Sequence, residues 1–231
     1  MQAYKWFDDP LVRRFRDDVE LHGTFTHPWF LGVVRKWEPI FQSLEGQRAR
    51  ILEIGSFEGL SACYMLWRLR DATLTCIDTF AGSPEHVAAD IDVSDLQATF
   101  ERNVALVDSS RVRTLVGDSR RVALELLAEG ARFDLVFVDG SHYGLDVLVD
   151  AVLSWQLLGD GGILVFDDYV WGELGEDALL RPGVAIDAFL TLVDAKYELL
   201  FADDQVGLRR VAYPTAVDDS SAAGNRCGHV G

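Results

Sequence analysis

The chain has 231 residues, which is long enough for one domain with a sizeable core. Its 37 Asp and Glu residues outnumber its 21 Lys and Arg residues, and the formal net charge of −16 argues against a nucleic-acid partner, which is normally bound by a basic surface. Cys63, Cys76 and Cys227 show no C-x-x-C spacing, and no stretch resembles a secretory leader or a membrane span. We therefore expect a soluble cytoplasmic protein with reduced thiols and no membrane partner.

Residues 1–48 are predicted to form a helical cap that precedes the sheet. Asp9 and Pro10 form a typical helix start, and Pro28 is expected to open a second helix, with a kink or break at Pro39. The simpler interpretation, which we favour, is that the cap packs on the sheet. The alternative makes it part of a substrate wall or of a contact in a homodimer or higher homo-oligomer.

A strand, a glycine loop and a helix organise the rest of the chain. The buried strand is predicted at 50–54, Gly55 and Gly59 bracket the turn, and helical periodicity begins at Leu60. This is the first unit of an open α/β sheet, in which ligands bind at the carboxyl ends of the strands. The third glycine of a dinucleotide-binding loop is absent, which argues against a nicotinamide-dependent oxidoreductase.

Polar residues follow the next two predicted strands. The second strand ends at Asp78, which is placed to accept hydrogen bonds from ribose hydroxyls. The third strand, at 112–116, leads to Asp118 and Ser119, which are placed to meet the amine and ring nitrogen of an adenine but equally suit a helix N-cap. Between these strands, residues 81–95 are polar and are predicted to form a mobile lid over the substrate.

Two later strands end in acids, the fourth at Asp139 and the fifth at Asp167 and Asp168. Neighbouring parallel strands point their carboxyl ends at one edge of the sheet, so these three carboxylates are expected to meet and repel one another. A hard divalent cation relieves this repulsion, and oxygen ligands favour Mg²⁺, with Ca²⁺ or Mn²⁺ as alternatives. Asp168 alternatively caps a turn. His142 is a candidate general base for a substrate hydroxyl, or a residue that only hydrogen-bonds the loop.

The remaining predicted elements complete the sheet and its covering helices. Helices are predicted at 96–106, at 120–128, after His142 and from Pro182, and strands at 133–138, 163–166, 197–201 and 206–211. The inner face of the helix after His142 is expected to carry Leu145, Leu148, Val152 and Trp155. Residues 213–231 are small and polar and are predicted to be disordered.

Five motifs occur in the order found in small bacterial O-methyltransferases. They are Glu53-x-Gly55, Ile77-Asp78-Thr79-Phe80, Gly117-Asp118-Ser119, Val138-Asp139-Gly140-Ser141-His142 and Phe166-Asp167-Asp168-Tyr169. Over 49–211 the chain therefore resembles the class I S-adenosylmethionine-dependent O-methyltransferases, and among them the metal-dependent macrocin and mycinamicin sugar O-methyltransferases. Catechol-type relatives have a lysine where this chain has His142, which favours the macrolide-sugar group, whereas some relatives have Glu in place of Asp167.

The resemblance implies a Rossmann-like α/β fold with a seven-stranded, mostly parallel sheet, in a methyltransferase domain at 49–212. It implies S-adenosyl-L-methionine as the methyl donor, bound by Glu53, Gly55, Ser56, Phe57, Gly59, Ser61, Asp78, Thr79, Phe80, Asp118 and Ser119. It also implies Mg²⁺ or another divalent cation on Asp139, Asp167 and Asp168, with His142 and Asp139 at the catalytic centre. The expected reaction is O-methylation of a small-molecule acceptor, such as a sugar or another natural product.

Other functions are weighed against this one. A carboxylate or peptide acceptor stays open within the methyltransferases. An aminopropyltransferase on the same fold would use the acids to bind a polyamine instead of a metal. A non-catalytic binding module would keep the donor pocket, but it would have no need to gather Asp139, His142, Asp167 and Asp168. Trp171 either lines an apolar acceptor pocket or packs in the core.

Overall fold

A computed structural model of the chain describes residues 8–83, 91–172 and 177–211. Part of the predicted lid at 81–95 and the whole of the tail at 213–231 lie outside the described residues. No helix in the described ranges is both long enough and apolar enough to cross a membrane.

The described chain forms one seven-stranded sheet with helices on both faces. Helices α1 to α7 span Pro10–Asp18, Val34–Leu44, Leu60–Arg68, Leu96–Ala105, Ser119–Ala128, Gly144–Leu157 and Pro182–Leu192. Strands β1 to β7 span Arg50–Ile54, Thr73–Asp78, Val112–Val116, Phe133–Val138, Leu158–Phe166, Tyr197–Ala202 and Val206–Arg210. The predicted α/β architecture with a mostly parallel sheet is confirmed.

The strand order is β3-β2-β1-β4-β5-β7-β6. Strands β1 to β5 pair in parallel, and β7 runs antiparallel between β5 and β6. The chain winds outward from β1 to β3 and then returns to place β4 beside β1. Such a switch in winding direction opens a crevice at the carboxyl ends of the central strands, which is where ligands of this sheet type bind.

Alternating side chains of the central strands enter two cores, one on each face of the sheet. Ile51 belongs to the core that includes the N-terminal helices, and Leu52 belongs to the opposite core. The indole of Trp37 on α2 meets the ring of Phe137 on β4, with ring centroids 4.8 Å apart. Helix α2 therefore packs directly on the sheet, as the simpler interpretation of the cap proposed, whereas Phe15 of α1 packs against Tyr64 of α3.

The N-terminal segment differs in detail from the prediction. Asp9 caps α1 as expected, because its carboxylate accepts hydrogen bonds from the amides of Leu11 and Val12. Pro28, however, precedes only a short 3₁₀ turn, and α2 begins at Val34. Pro39 lies inside α2 without ending it. Burial of the apolar face of α2 outweighs the lost amide hydrogen bond of one proline.

The predicted inner face of α6 was wrong at two positions. Leu145 is 68% exposed and Val152 is 42% exposed, whereas Trp155 is buried as expected. The buried residues of α6 instead include Asp150 and Ser154. A hydrophobic pattern misses such a face because it counts polar residues as exposed, although a buried polar residue is stable when it has a partner.

Candidate active site

The loop after β1 touches the end of β4. Gly55 has φ +84°, and a Cβ on it would lie 2.0 Å from the backbone oxygen of Asp139. The amide of Asp139 in turn donates to the carbonyl of Ile54, at 2.8 Å. Only glycine allows both this left-handed conformation and this close approach. Gly59, with φ +82°, then starts α3.

Glu53 is fully buried behind this loop. Its carboxylate accepts hydrogen bonds of 2.5 Å from the hydroxyls of Ser56 and Ser61, and the thiol of Cys76 lies 3.6 Å from one of its oxygens. Burial raises the pKa of Glu53 to about 7, against the effect of these donors. Ser56 and Ser61 line a cavity, so Glu53 fixes their hydroxyls from behind. Its predicted contact with a donor stays a prediction.

Asp78 at the end of β2 holds the outer side of the same loop. One carboxylate oxygen accepts from the amides of Ser56 and Phe57, at 2.7 and 2.9 Å, and the other accepts from the amide of Phe80 at 2.7 Å. The side chain lines a cavity, where its oxygens can accept further hydrogen bonds. Asp78 thus shapes the loop that the sequence predicted to bind the donor.

A first cavity of about 290 Å³ opens above the ends of β1, β2 and β3. The predicted donor-site residues that line it are Gly55, Phe57, Asp78, Thr79, Asp118 and Ser119. Phe80 lies differently, because its ring is buried and meets the ring of Phe100 with centroids 5.2 Å apart. Phe80 therefore supports the cavity from below in this structure.

Asp118 fills the N-cap role that the sequence left open for Asp118 and Ser119, and their contact with an adenine stays a prediction. Asp118 caps α5 through the amide of Arg121 and pairs with the guanidinium of Arg120 at 2.8 Å. The Ser119 hydroxyl donates to Asp150 at 2.7 Å. Asp150 is 2% exposed, lines the first cavity and has a pKa raised to about 6, chiefly by burial. Asp150 was not predicted from the sequence, because it lies in mid-helix, outside every motif.

A second cavity of about 410 Å³ adjoins the first, since both are lined by Gly55, Phe57, Ser83, Asp139 and Gly140. It extends from the glycine loop to the ends of β4 and β5. Asp139, Asp167 and Asp168 all line it, together with His142. The four candidate catalytic and metal-binding residues thus surround one space.

The three carboxylates influence one another. Burial and then the neighbouring Asp167 raise the pKa of Asp139 well above its usual range. Burial and then Asp168 raise the pKa of Asp167 to about 7. Within the described ranges, no three acid, histidine or cysteine side chains form a complete metal-binding group. The oxygen donors are nevertheless those that a hard divalent cation prefers, and such a cation would offset the repulsion that raises both pKa values.

His142 faces the acids with one ring nitrogen. Its Nε2 lies 2.8 Å from Oδ2 of Asp168. The ring also stacks on Trp171, with centroids 4.5 Å apart and planes inclined by 31°. Two contacts therefore fix the orientation of the imidazole at the edge of the second cavity.

The opposite wall comes from the N-terminal segment. Trp29 lies beside His27, with ring centroids 4.4 Å apart, and 6.0 Å from the ring of Phe57. The amide and hydroxyl of Thr26 donate to the two carboxylate oxygens of Glu58, at 2.6 and 2.8 Å. His27, Trp29 and Glu58 line the second cavity. No motif had indicated them, and the only signal was the density of aromatic residues before α2.

Comparison with known proteins identifies the class. The model of the methyltransferase domain family matches residues 52–169, so the chain belongs to this family. The match runs from β1 to the residue after Asp168 and so includes the glycine loop and all three acids. The fold is that of the class I S-adenosylmethionine-dependent enzymes.

The individual proteins that this chain resembles share little sequence identity with it. An uncharacterised mimivirus protein, R132 of Acanthamoeba polyphaga mimivirus, is 26% identical over 134 residues, which are 57% of each chain. The MycE methyltransferase of mycinamycin biosynthesis, solved with Mg and SAH, is 19% identical with a TM-score of 0.59, over 90% of this chain and 58% of MycE. The O-methyltransferase from Bacillus cereus, solved with SAH, is 16% identical with a TM-score of 0.56, over 88% and 91%. This chain thus spans little more than half of the first two.

Proposed function

We propose that this chain transfers the methyl group of S-adenosylmethionine to a hydroxyl oxygen of a small molecule, with a divalent cation bound by Asp139, Asp167 and Asp168. The observation that carries the proposal is the junction of two cavities at Gly55 and Asp139. One cavity has the loop and strand-end acids of a nucleoside site, and the other has converging carboxylates and a histidine.

The first cavity suits the donor. Its wall includes the backbone of Gly55 and Gly117 and the carboxylates of Asp78 and Asp118, which offer acceptors for the hydroxyl and amino groups of an adenosine. At the junction, Asp139 gives the cationic sulfonium an anionic neighbour. The solved structures of MycE and of the Bacillus cereus enzyme contain SAH, which supports this choice of donor.

The second cavity suits a hydroxyl acceptor. Asp139, Asp167 and Asp168 would hold the cation, which when bound lowers the pKa of a neighbouring hydroxyl. MycE, whose solved structure contains Mg, supports magnesium as that cation. The formal net charge of −16 and the absence of a basic cluster in the motifs favour a small molecule over a nucleic acid as the acceptor.

His142 takes the acceptor proton. The imidazolium that forms is stabilised by the carboxylate of Asp168, whose Oδ2 lies 2.8 Å from Nε2 and accepts a charge-assisted hydrogen bond from it. The oxygen then forms a bond to the methyl carbon as the sulfur–methyl bond breaks, and the sulfonium becomes a neutral thioether. The two adjoining cavities hold nucleophile and methyl together, and such positioning supplies about 7–11 kcal/mol of a barrier.

Calorimetric titration of the full chain with S-adenosylhomocysteine tests the donor site. We expect binding that is lost in Asp78→Ala, whose carboxylate no longer holds the loop or accepts from a ribose, and retained in His142→Ala. Preferred binding of NADH or of decarboxylated S-adenosylmethionine would instead indicate an oxidoreductase or an aminopropyltransferase. Absence of S-adenosylhomocysteine binding by the wild-type chain would disprove the proposal.

A further inference from the structure

We infer that the acceptor is a neutral or cationic hydroxylated ring that lies against Trp29, and that acceptors with an anionic group remote from the reacting hydroxyl are rejected. This inference deepens the proposed function and rests on it. It follows from two properties of the second cavity, which are its aromatic walls and its uncompensated acids.

The aromatic walls are built from two exposed tryptophans. Trp29 is 60% exposed and Trp171 is 46% exposed, although both line the same cavity. Each has a fixed orientation, since Trp29 packs beside His27 and Trp171 stacks on His142. Exposed aromatic faces that are held in place around a cavity favour a flat partner, because ring faces stack with little loss of side-chain freedom.

The charges around the cavity are one-sided. In addition to the three candidate metal ligands, Glu58 and Asp204 line it, and no Lys or Arg is found among its lining residues in the described ranges. Asp204 pairs with Lys36, but the carboxylate oxygens of Glu58 accept from the uncharged amide and hydroxyl of Thr26. A divalent cation would neutralise only two of the three negative charges that its carboxylate ligands carry when ionised.

These two properties act in the same direction on a ligand. The faces of aromatic rings carry partial negative charge, so they attract cations and disfavour anions. An anionic substituent would meet Glu58 and the ring faces without a Lys or Arg partner, whereas a neutral ring buries apolar surface and a cationic ring gains attraction as well. The cavity therefore selects by the charge of the part of the acceptor that does not react.

Three catechols that share the same diol but carry ring substituents of different charge test this selection. They are 3,4-dihydroxybenzoate, an anion; 4-methylcatechol, which is neutral; and dopamine, a cation. Calorimetric titration of the full chain, saturated with S-adenosylhomocysteine and Mg²⁺, is expected to show that the anion binds at least about tenfold more weakly than the other two. Equal or tighter binding of the anion would overturn the inference.

The same titrations separate the inference from the function on which it rests. If S-adenosylhomocysteine binds but none of the three catechols does, the choice of a ring acceptor is wrong and the proposed methyl transfer stands. If S-adenosylhomocysteine itself does not bind, the proposed function fails first. Methylation of the neutral probe without discrimination against the anion would leave the function intact and refute the charge selection.

Variants of the wall locate the effect. Trp29→Ala is expected to weaken the binding of 4-methylcatechol by about two- to tenfold, and Trp29→Phe is expected to weaken it by less. The affinity for S-adenosylhomocysteine should be unchanged in both variants. Glu58→Gln is expected to reduce the difference in affinity between the anionic and the neutral probe. Leu192→Ala is the matched control, because Leu192 is 76% exposed at the end of α7 and does not line the cavity. Unchanged probe affinities in Trp29→Ala and Glu58→Gln would contradict the assignment of these walls.

Discussion

Oδ2 of Asp168 lies 2.8 Å from Nε2 of His142, within hydrogen-bond distance. The backbone of Asp168 is held in a left-handed conformation, with φ +57°. The conformation is secured on both sides. The amide of Trp171 donates to the Asp168 carbonyl at 2.9 Å, and the amide of Tyr169 donates to the carbonyl of Asp204 at 3.0 Å. Strain of this kind persists where the surroundings over-determine the backbone, and it is concentrated at functional sites.

Asp168→Asn is therefore expected to fold normally and to lose activity. Asparagine tolerates the left-handed region nearly as well as aspartate, so the backbone is preserved while the charge facing His142 is removed. We expect methyl transfer from labelled S-adenosylmethionine to 4-methylcatechol to fall at least about 100-fold, as for loss of general acid–base catalysis. Affinity for S-adenosylhomocysteine should not change, and equal turnover of the variant and the wild type would exclude both roles of Asp168.

Removal of divalent cations should stop the reaction without releasing the donor. Chelation leaves Asp139, Asp167 and Asp168 without the charge that offsets their repulsion, and the acceptor hydroxyl keeps its ordinary pKa. Turnover with EDTA is expected to fall to background and to return with excess Mg²⁺, while calorimetric affinity for S-adenosylhomocysteine stays within about threefold. Wild-type turnover in EDTA would remove the metal from the proposed function.

The buried carboxyl of Glu53 is expected to make the free energy of unfolding depend on pH. Burial raises its folded-state pKa from 4.5 to about 7, so between these values the folded chain retains a proton that the unfolded chain has released. The contribution of Glu53 is full below pH 4.5 and is lost as the pH rises towards 7, on the order of 3 kcal/mol in all. Glu53→Gln keeps an acceptor for one serine hydroxyl and does not titrate.

Urea unfolding at pH 5 and pH 8 measures this difference. The wild-type free energy of unfolding should fall more steeply over the interval than that of Glu53→Gln. Asp150, with a pKa raised to about 6 by burial, contributes to the same slope, so Asp150→Asn in both backgrounds separates the two groups. Identical slopes for the wild type and Glu53→Gln would show that Glu53 does not titrate in this range.

The sequence predicted the parts of the site that follow strands. Asp78, Asp139 and Asp167 stand at strand ends, and parallel pairing alone brings such residues to one edge of the sheet. Trp29 and Asp150 were not predicted. Trp29 comes from a segment whose fold depends on packing against the sheet, and Asp150 lies on a helix face that is buried despite a polar residue. Neither periodicity nor spacing encodes such tertiary contacts.

Ser119 and Asp150 are expected to be coupled energetically. Ser119→Ala removes the hydroxyl that donates to Asp150 at 2.7 Å and leaves a buried carboxylate oxygen without that donor, at a cost of about 1–3 kcal/mol. Asp150→Asn removes the charge. Because the contact can be lost only once, the double variant should lose less stability than the two single variants together, by about 0.5–3 kcal/mol. Urea unfolding of all four proteins gives this coupling energy, and strictly additive losses would show that the two side chains act independently.

Gly55→Ala and Gly46→Ala separate a backbone clash from backbone strain. Both glycines have similar left-handed conformations, with φ +84° and +73°, but a Cβ at Gly55 meets the Asp139 carbonyl oxygen at 2.0 Å, whereas a Cβ at Gly46 meets no atom within 4 Å. Gly46→Ala should therefore cost only about 1–2 kcal/mol, the usual penalty of a left-handed alanine. Gly55→Ala adds a displacement of the β1 loop from the end of β4, and we expect at least twice that loss of stability together with loss of S-adenosylhomocysteine binding. Equal destabilisation by the two substitutions would mean that the loop and β4 are not in the contact on which the junction of the two cavities depends.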